Sequence, residues 1–106
     1  MITLDVGIDI TSIERFKNRK DNFIKRILTE EEYSVYSELS LVKKPVFLAT
    51  RWACKEAIFK ATEDPKYLDY SILNTKTGKP FILNHSNMKV SISHEGDTVI
   101  AIVIVE

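Results

Sequence analysis

Residues 2–10 alternate, with Ile2, Leu4, Val6, Ile8 and Ile10 on one face and Thr3, Asp5, Gly7 and Asp9 on the other. This period of two predicts a half-buried strand. Asp9 falls near its C-terminal end, on the polar face. Gly7, on the same face, leaves room there for another backbone or a ligand to approach. The pattern then turns helical. Thr11-Ser12-Ile13-Glu14 reads as a capping box, with a short helix expected through Arg15 and Phe16 to about Lys20. Asp21 is suited to cap a further helical stretch over 22–28. Thr29-Glu30-Glu31-Glu32 is a second capping box, with three carboxylates suited to a helix N-terminus. Tyr33, Tyr36 and Leu39 follow at helical spacing and read as core. Residues 40–46 lapse into a loop.

Residues 47–62 contain no Gly or Pro and include Ala49, Ala53, Ala57 and Ala61, which predicts a long helix. Pro45 is placed to start it and Pro65 to stop it. On a helical wheel at about 100° per residue, Leu48, Trp52, Lys55 and Phe59 form one stripe, expected to be core for the strands. Glu56 and Lys60 lie together beside that stripe, with only Ala49 and Ala53 between them and whatever packs there. On spacing alone they are an ordinary Glu-to-Lys surface pair worth a few tenths of a kcal/mol.

After Tyr70 the signal is strands. Residues 71–75 and 79–83 flank Lys76-Thr77-Gly78, and residues 89–93 and 98–105 flank His94-Glu95-Gly96-Asp97, giving two hairpins. Residues 99–105 are apolar on both faces, which predicts a central strand. The expected fold is α+β, an antiparallel sheet wrapped on a long central helix, formed by residues 1–106 as a single domain.

The chain of 106 residues balances 15 Lys and Arg against 15 Asp and Glu. With no net charge, nothing draws it as a whole to nucleic acid or a membrane surface. No apolar run approaches a membrane span. The N-terminal Met1-Ile2-Thr3-Leu4-Asp5 lacks the basic start and apolar core of a signal peptide, so a cytoplasmic location is expected. The single cysteine, Cys54, fits a reducing compartment and reads as a small buried hydrophobe. Charge is locally uneven. Arg15, Lys17, Arg19, Lys20, Lys25 and Arg26 face only Asp21 over 15–26. This basic stretch is either a solvated face or a dock for an acidic partner.

Two carboxylates stand in poor places for unpaired charge: Asp9, on a strand whose other face is aliphatic, and Glu56, beside the Trp52 stripe. Two carboxylates from separate elements suit Mg²⁺, which keeps several waters and takes substrate phosphate oxygens as further ligands. Lys60, one turn beyond Glu56, can present a point charge to the same phosphates. His94 continues the Val90 and Ile92 face at a strand end, where a structural role and a functional one both remain open. Ser91 and Ser93 read as solvent-facing. Zinc spacing, a P-loop, a dinucleotide fingerprint and a nucleophile elbow are all absent from the sequence.

Ordered blocks run through nearly the whole chain: Val6-Gly7-Ile8-Asp9-Ile10, Ile13-Glu14-Arg15-Phe16, Arg26-Ile27-Leu28-Thr29 with Glu32, Arg51-Trp52-Ala53-Cys54-Lys55-Glu56-Ala57-Ile58-Phe59-Lys60-Ala61, Gly78-Lys79-Pro80 and Ser91-Ile92-Ser93-His94. Together they resemble the holo-acyl-carrier-protein synthases, the small bacterial type of 4′-phosphopantetheinyl transferase. The resemblance implies Mg²⁺-dependent transfer of 4′-phosphopantetheine from coenzyme A to a serine of acyl carrier protein, releasing 3′,5′-ADP. It implies that Asp9 and Glu56 are the metal ligands and that Lys60 contacts the coenzyme A phosphates. Arg51 and His94 would lie on the nucleotide side, and Arg15, Arg19 and Arg26 on the surface that receives the carrier. It implies a homotrimer with sites between subunits, and a place in fatty acid biosynthesis. A non-catalytic member that only binds the carrier is the alternative. One segment departs from the family's pattern: a Gly-containing loop usually follows the long helix, whereas residues 62–70 here contain no Gly.

Overall fold

The computed structural model describes residues 3–106; Ile2, the first residue of the predicted strand, lies outside them. Strand β1 (Asp5–Ser12) leads through a 3₁₀ turn (Glu14–Phe16) to helices α1 (Asp21–Ile27), α2 (Glu30–Ser37) and α3 (Lys43–Thr62). A second 3₁₀ turn (Tyr67–Asp69) precedes strands β2 (Ile72–Asn74), β3 (Pro80–Ile82), β4 (Met88–Glu95) and β5 (Thr98–Val105). Strands β1, β5 and β4 form an antiparallel sheet in that order, and β2 pairs with β3 in a separate hairpin. The doubly apolar strand is therefore central, as its composition requires. Helix α3 lies across one face of the larger sheet.

Which face it covers reverses the simplest reading of β1. Gly7 and Thr11 are buried and Asp9 is half-buried, whereas Val6, Ile8 and Ile10 are 57–65% exposed. The polar face packs on the helix because the helix comes too close for large side chains. A Cβ added to Gly7 would lie 1.8 Å from the Ala57 carbonyl oxygen and 2.9 Å from the Ala61 nitrogen. The row Ala49, Ala53 and Ala57 is fully buried. It is this alanine row, rather than the Trp52 stripe, that lets helix and strand approach. Trp52 is half-buried against Phe16, and Phe59 is exposed.

The first capping box does not form. Strand β1 continues through Ser12, and Asp97 of the β4–β5 turn accepts the Glu14 amide at 2.9 Å, so only one 3₁₀ turn follows. The basic stretch is thus spread over a turn, a loop and α1 instead of one helix. The second box does form. The Thr29 hydroxyl accepts the Glu32 amide at 3.2 Å, and Glu32 Oε1 accepts the Thr29 amide at 2.9 Å.

Glu32 and Lys55 then bind four elements together. Both side chains are fully buried, and their N···O distance is 2.5 Å. Lys55 Nζ also donates to the Ile27 carbonyl at the end of α1, while Glu32 Oε2 accepts the Ile72 amide of β2 at 2.9 Å. Burial pulls the Lys55 pKa down and the adjacent carboxylate pulls it back. Lys55→Met should cost about 3–5 kcal/mol in urea denaturation, because it leaves the Glu32 carboxylate buried without its cation. Adding Glu32→Gln should recover part of that loss.

Candidate active site

The site is assembled at the C-terminal half of α3, where β1 passes beneath it. Because Gly7 brings the two backbones into contact, Asp9, two residues further along the same strand face, falls within reach of Lys60. Lys60 Nζ lies 3.2 Å from Asp9 Oδ1 and donates to the Ile8 carbonyl at 2.9 Å. Lys60 is half-exposed, whereas the Asp9 carboxyl is largely covered. The pair forms one wall of a shallow cavity of about 300 Å³, completed by Ile8, Ile10 and Ile100.

Glu56, one turn before Lys60, is half-buried and accepts a hydrogen bond from the Tyr67 hydroxyl. Burial, then the Glu56 bond and charge, then the charge of Asp9, push the Tyr67 pKa upward. Asp9 and Glu56 therefore act on the same phenol from two elements. Tyr67 packs edge-on against Trp52, with centroids 5.6 Å apart. Arg15 lies over the other side of this cluster, 5.0 Å from the Trp52 ring centroid, with Nη1 3.4 Å from the Thr11 hydroxyl. The predicted partner-facing Arg15 thus borders the site. Arg19 stacks on Phe23 at 4.3 Å, and Arg26 is exposed on α1.

Tyr67 was not among the residues singled out from the sequence. It lies in the Gly-free segment after α3, and no periodicity directs a 3₁₀ turn back onto the helix. The chain reverses at Glu63, which ends α3 at φ 65°, a conformation that favours Gly, so the sequence carries no signal of the return.

The remaining predicted residues lie apart from this cluster. Arg51 is buried on the opposite flank of α3. Its Nε donates to the Ile72 carbonyl at 3.0 Å, Nη2 to Asn74 Oδ1 at 2.6 Å and Nη1 to the Thr50 hydroxyl at 3.1 Å. The guanidinium also stacks on Phe47 at 3.9 Å. Within the described residues Arg51 holds β2 against the helix. His94 is exposed on the far edge strand. The pairing rows run Asp9–Ala101–Ile92 and Thr11–Val99–His94. Two strand spacings, about 10 Å, therefore separate the Asp9 and His94 columns within one chain. Cys54 is buried and its thiol is pushed up to about 12, so it is no nucleophile at neutral pH.

The donor set fits a hard divalent cation that takes few protein ligands. Asp9 and Glu56 are carboxylate donors from separate elements, of the oxygen type such an ion takes. The described residues contain no cluster of three or more His, Cys, Asp or Glu side chains placed to hold a metal.

An antiparallel sheet is crossed here by one long helix, and a strand aspartate meets a helix lysine one turn beyond a half-buried glutamate. The chain belongs to the 4′-phosphopantetheinyl transferase superfamily, whose family model matches residues 5–103. It is 44% identical over 99 residues to the holo-[acyl-carrier-protein] synthase of Mycoplasma mobile, covering 93% of this chain and 86% of that protein. It is 40% identical to that of Geobacillus sp. strain WCH70, over 97% of this chain and 96% of the relative. The crystal structure of a Bacillus anthracis holo-(acyl-carrier-protein) synthase in complex with CoA (3′,5′-ADP) superposes with a TM-score of 0.85 at 34% identity, covering 96% of this chain and 95% of that one.

The contact beneath Gly7 gives a direct test. Gly7→Ala should force β1 and α3 apart and cost about 1–3 kcal/mol in chemical denaturation.

Proposed function

We propose that this chain transfers the 4′-phosphopantetheine group of coenzyme A to a serine hydroxyl of acyl carrier protein and releases 3′,5′-ADP. The observation that carries the reading is the Asp9–Lys60 contact one helical turn from Glu56, in a chain of this family. The serine oxygen attacks the phosphorus that bears the pantetheine arm, and the hydroxyl proton passes to water at the open face of the site. The P–O bond to the nucleotide breaks, and its electron pair leaves on the 3′,5′-ADP phosphate. Lys60 is placed to balance charge growing on that phosphate. Asp9 and Glu56 would hold Mg²⁺, which when bound offsets the charge of the diphosphate. No residue of the chain is needed as a covalent nucleophile, because the attacking hydroxyl belongs to the carrier. Arg15, next to Trp52 at the rim, together with Arg19 and Arg26 on the adjoining surface, would meet the acidic carrier by charge complementarity. A cytoplasmic location, in fatty acid biosynthesis, belongs to this reading. It is supported by the lone reduced cysteine, and no helix among the described residues is long and apolar enough to cross a membrane.

A homotrimer is the assembly this reading implies. Its support is the outward face of the sheet. Val6 pairs with Ile104, Ile8 with Ile102 and Ile10 with Ile100, giving three apolar rows. Five of these six side chains are large exposed hydrophobics. A contiguous apolar patch of this kind marks an association surface. It runs into the Asp9–Lys60 cavity through Ile8, Ile10 and Ile100. Copies seated there would border one another's sites. His94, on the opposite edge of the sheet, would then contribute to nucleotide binding across the subunit boundary, whereas Arg51, buried and bonded to β2, would act only by holding that hairpin against α3.

Incubating the protein with coenzyme A, Mg²⁺ and apo-carrier should add one phosphopantetheine to the carrier by mass spectrometry. Glu56→Gln should lower the rate at least about 100-fold with the fold retained by circular dichroism. Tight carrier binding with no transfer would instead indicate the non-catalytic binding module. In sedimentation, Val6→Glu should convert the trimer to monomer by placing a charge in the apolar rows.

A further inference from the structure

The segment after α3 contains no Gly, and its conformation is set by its own side chains. Thr62 Oγ1 accepts the Asp64 amide at 3.1 Å, Asp64 Oδ1 accepts the Lys66 amide at 3.0 Å, and Asp64 Oδ2 accepts the Tyr70 hydroxyl at 2.7 Å. Glu63, at φ 65°, reverses the backbone. Together these contacts return the chain over the helix it has just left. They place Tyr67 between Trp52, on which its ring packs, and Glu56, to which its hydroxyl donates. Residues 56 and 67 are eleven apart, so the exit of α3 folds back onto the helix's own carboxylate.

A glutamate on a helix has three flexible side-chain torsions. An unrestrained Glu56 would sample several orientations, and only some present an oxygen toward Asp9. The Tyr67 bond occupies one lone pair of Oε1 and fixes the carboxylate plane, leaving Oε2 free. The phenol itself is held by Trp52 on one side and by the Asp64-pinned loop on the other. This is the arrangement by which outer groups orient a metal ligand. Donation to the carboxylate also withdraws some electron density, which weakens it as a ligand. Which effect is larger sets the sign of the change in cation affinity when the hydroxyl is removed.

We infer that Tyr67 is a positioning residue, which orients Glu56 to receive a divalent cation. The inference rests on the proposed transfer reaction and on Glu56 as a ligand in it.

Tyr67→Phe tests it, since the ring and its packing on Trp52 are kept and only the hydroxyl is lost. With coenzyme A present, Mn²⁺ binding followed by electron paramagnetic resonance of the free ion should weaken about 10-fold. The Mg²⁺ concentration giving half-maximal transfer should rise by a similar factor, and kcat at saturating Mg²⁺ should fall less than the affinity does. In a Glu56→Gln background the same substitution should change Mn²⁺ affinity no further. Unchanged or tighter Mn²⁺ binding in Tyr67→Phe, with or without a lower Tm, overturns the inference. A wild-type protein that transfers no phosphopantetheine overturns the reading beneath it. One that transfers normally while Tyr67→Phe keeps its Mn²⁺ affinity overturns only the role of Tyr67.

Discussion

The contact between Gly7 and the Ala57 carbonyl is the constraint on which the site depends. Helix and strand backbones meet there with no side chain between them. Any residue larger than Gly at position 7 would hold the elements apart. That closeness carries Asp9 to Lys60, one helical turn beyond Glu56. It also explains why an aspartate and a threonine, rather than isoleucines, face the helix: the space beside Gly7 is narrow. The isoleucines and valines are left on the outside, where they supply the apolar rows of an association surface. One packing decision thus fixes both the polar site and the face by which copies could meet.

A second constraint acts on the other flank of α3. Lys55 and Arg51 turn away from the site and are bonded to α1, α2 and β2 through Glu32, the Ile27 carbonyl and the Ile72 peptide. The helix therefore presents opposite chemistry on its two sides. One flank has its cations buried and bonded, and the other has Glu56 and Lys60 half-open to solvent. A buried ion pair of this kind adds little net stability over an apolar replacement. Its effect here is to fix which way α3 faces, since no other rotation would satisfy both the lysine and the arginine.

Much of this was legible in the sequence. The central strand, the long helix and the Thr29–Glu32 capping box follow from local patterns, because apolar composition, alanine content and cap spacing act over a few residues. Asp9, Glu56 and Lys60 stood out as charges beside apolar stretches, but spacing alone read Glu56 and Lys60 as a surface pair, and the Asp9–Lys60 contact joins residues fifty-one apart that no local pattern links. The outward orientation of Val6, Ile8 and Ile10 was not legible. Alternation shows that a strand has two faces, but the close approach of a helix decides which face is covered. The Thr11–Glu14 box failed because β1 stays paired with β5 through Ser12, and Asp97 takes the amide that Thr11 would have capped. Tyr67 was invisible because its partners, Trp52 and Glu56, lie fifteen and eleven residues back and are reached only through a reversal at a non-glycine residue.

The pairing of β1 with β5 has a further consequence for how the protein is made. Asp5 lies opposite Val105 and Asp9 opposite Ala101, so the first strand finds its hydrogen-bonding partner in the last. Contacts of such sequence separation require closing a very long loop and are slow to form. During synthesis α1, α2 and α3 can assemble around the Glu32–Lys55 pair while β1 still lacks a neighbour. Only when β5 has emerged can β1 be fixed and Asp9 settle beneath α3. The Asp9–Lys60 contact is therefore completed late, because in a nascent chain lacking β5 the first strand has only its packing on α3 to hold it.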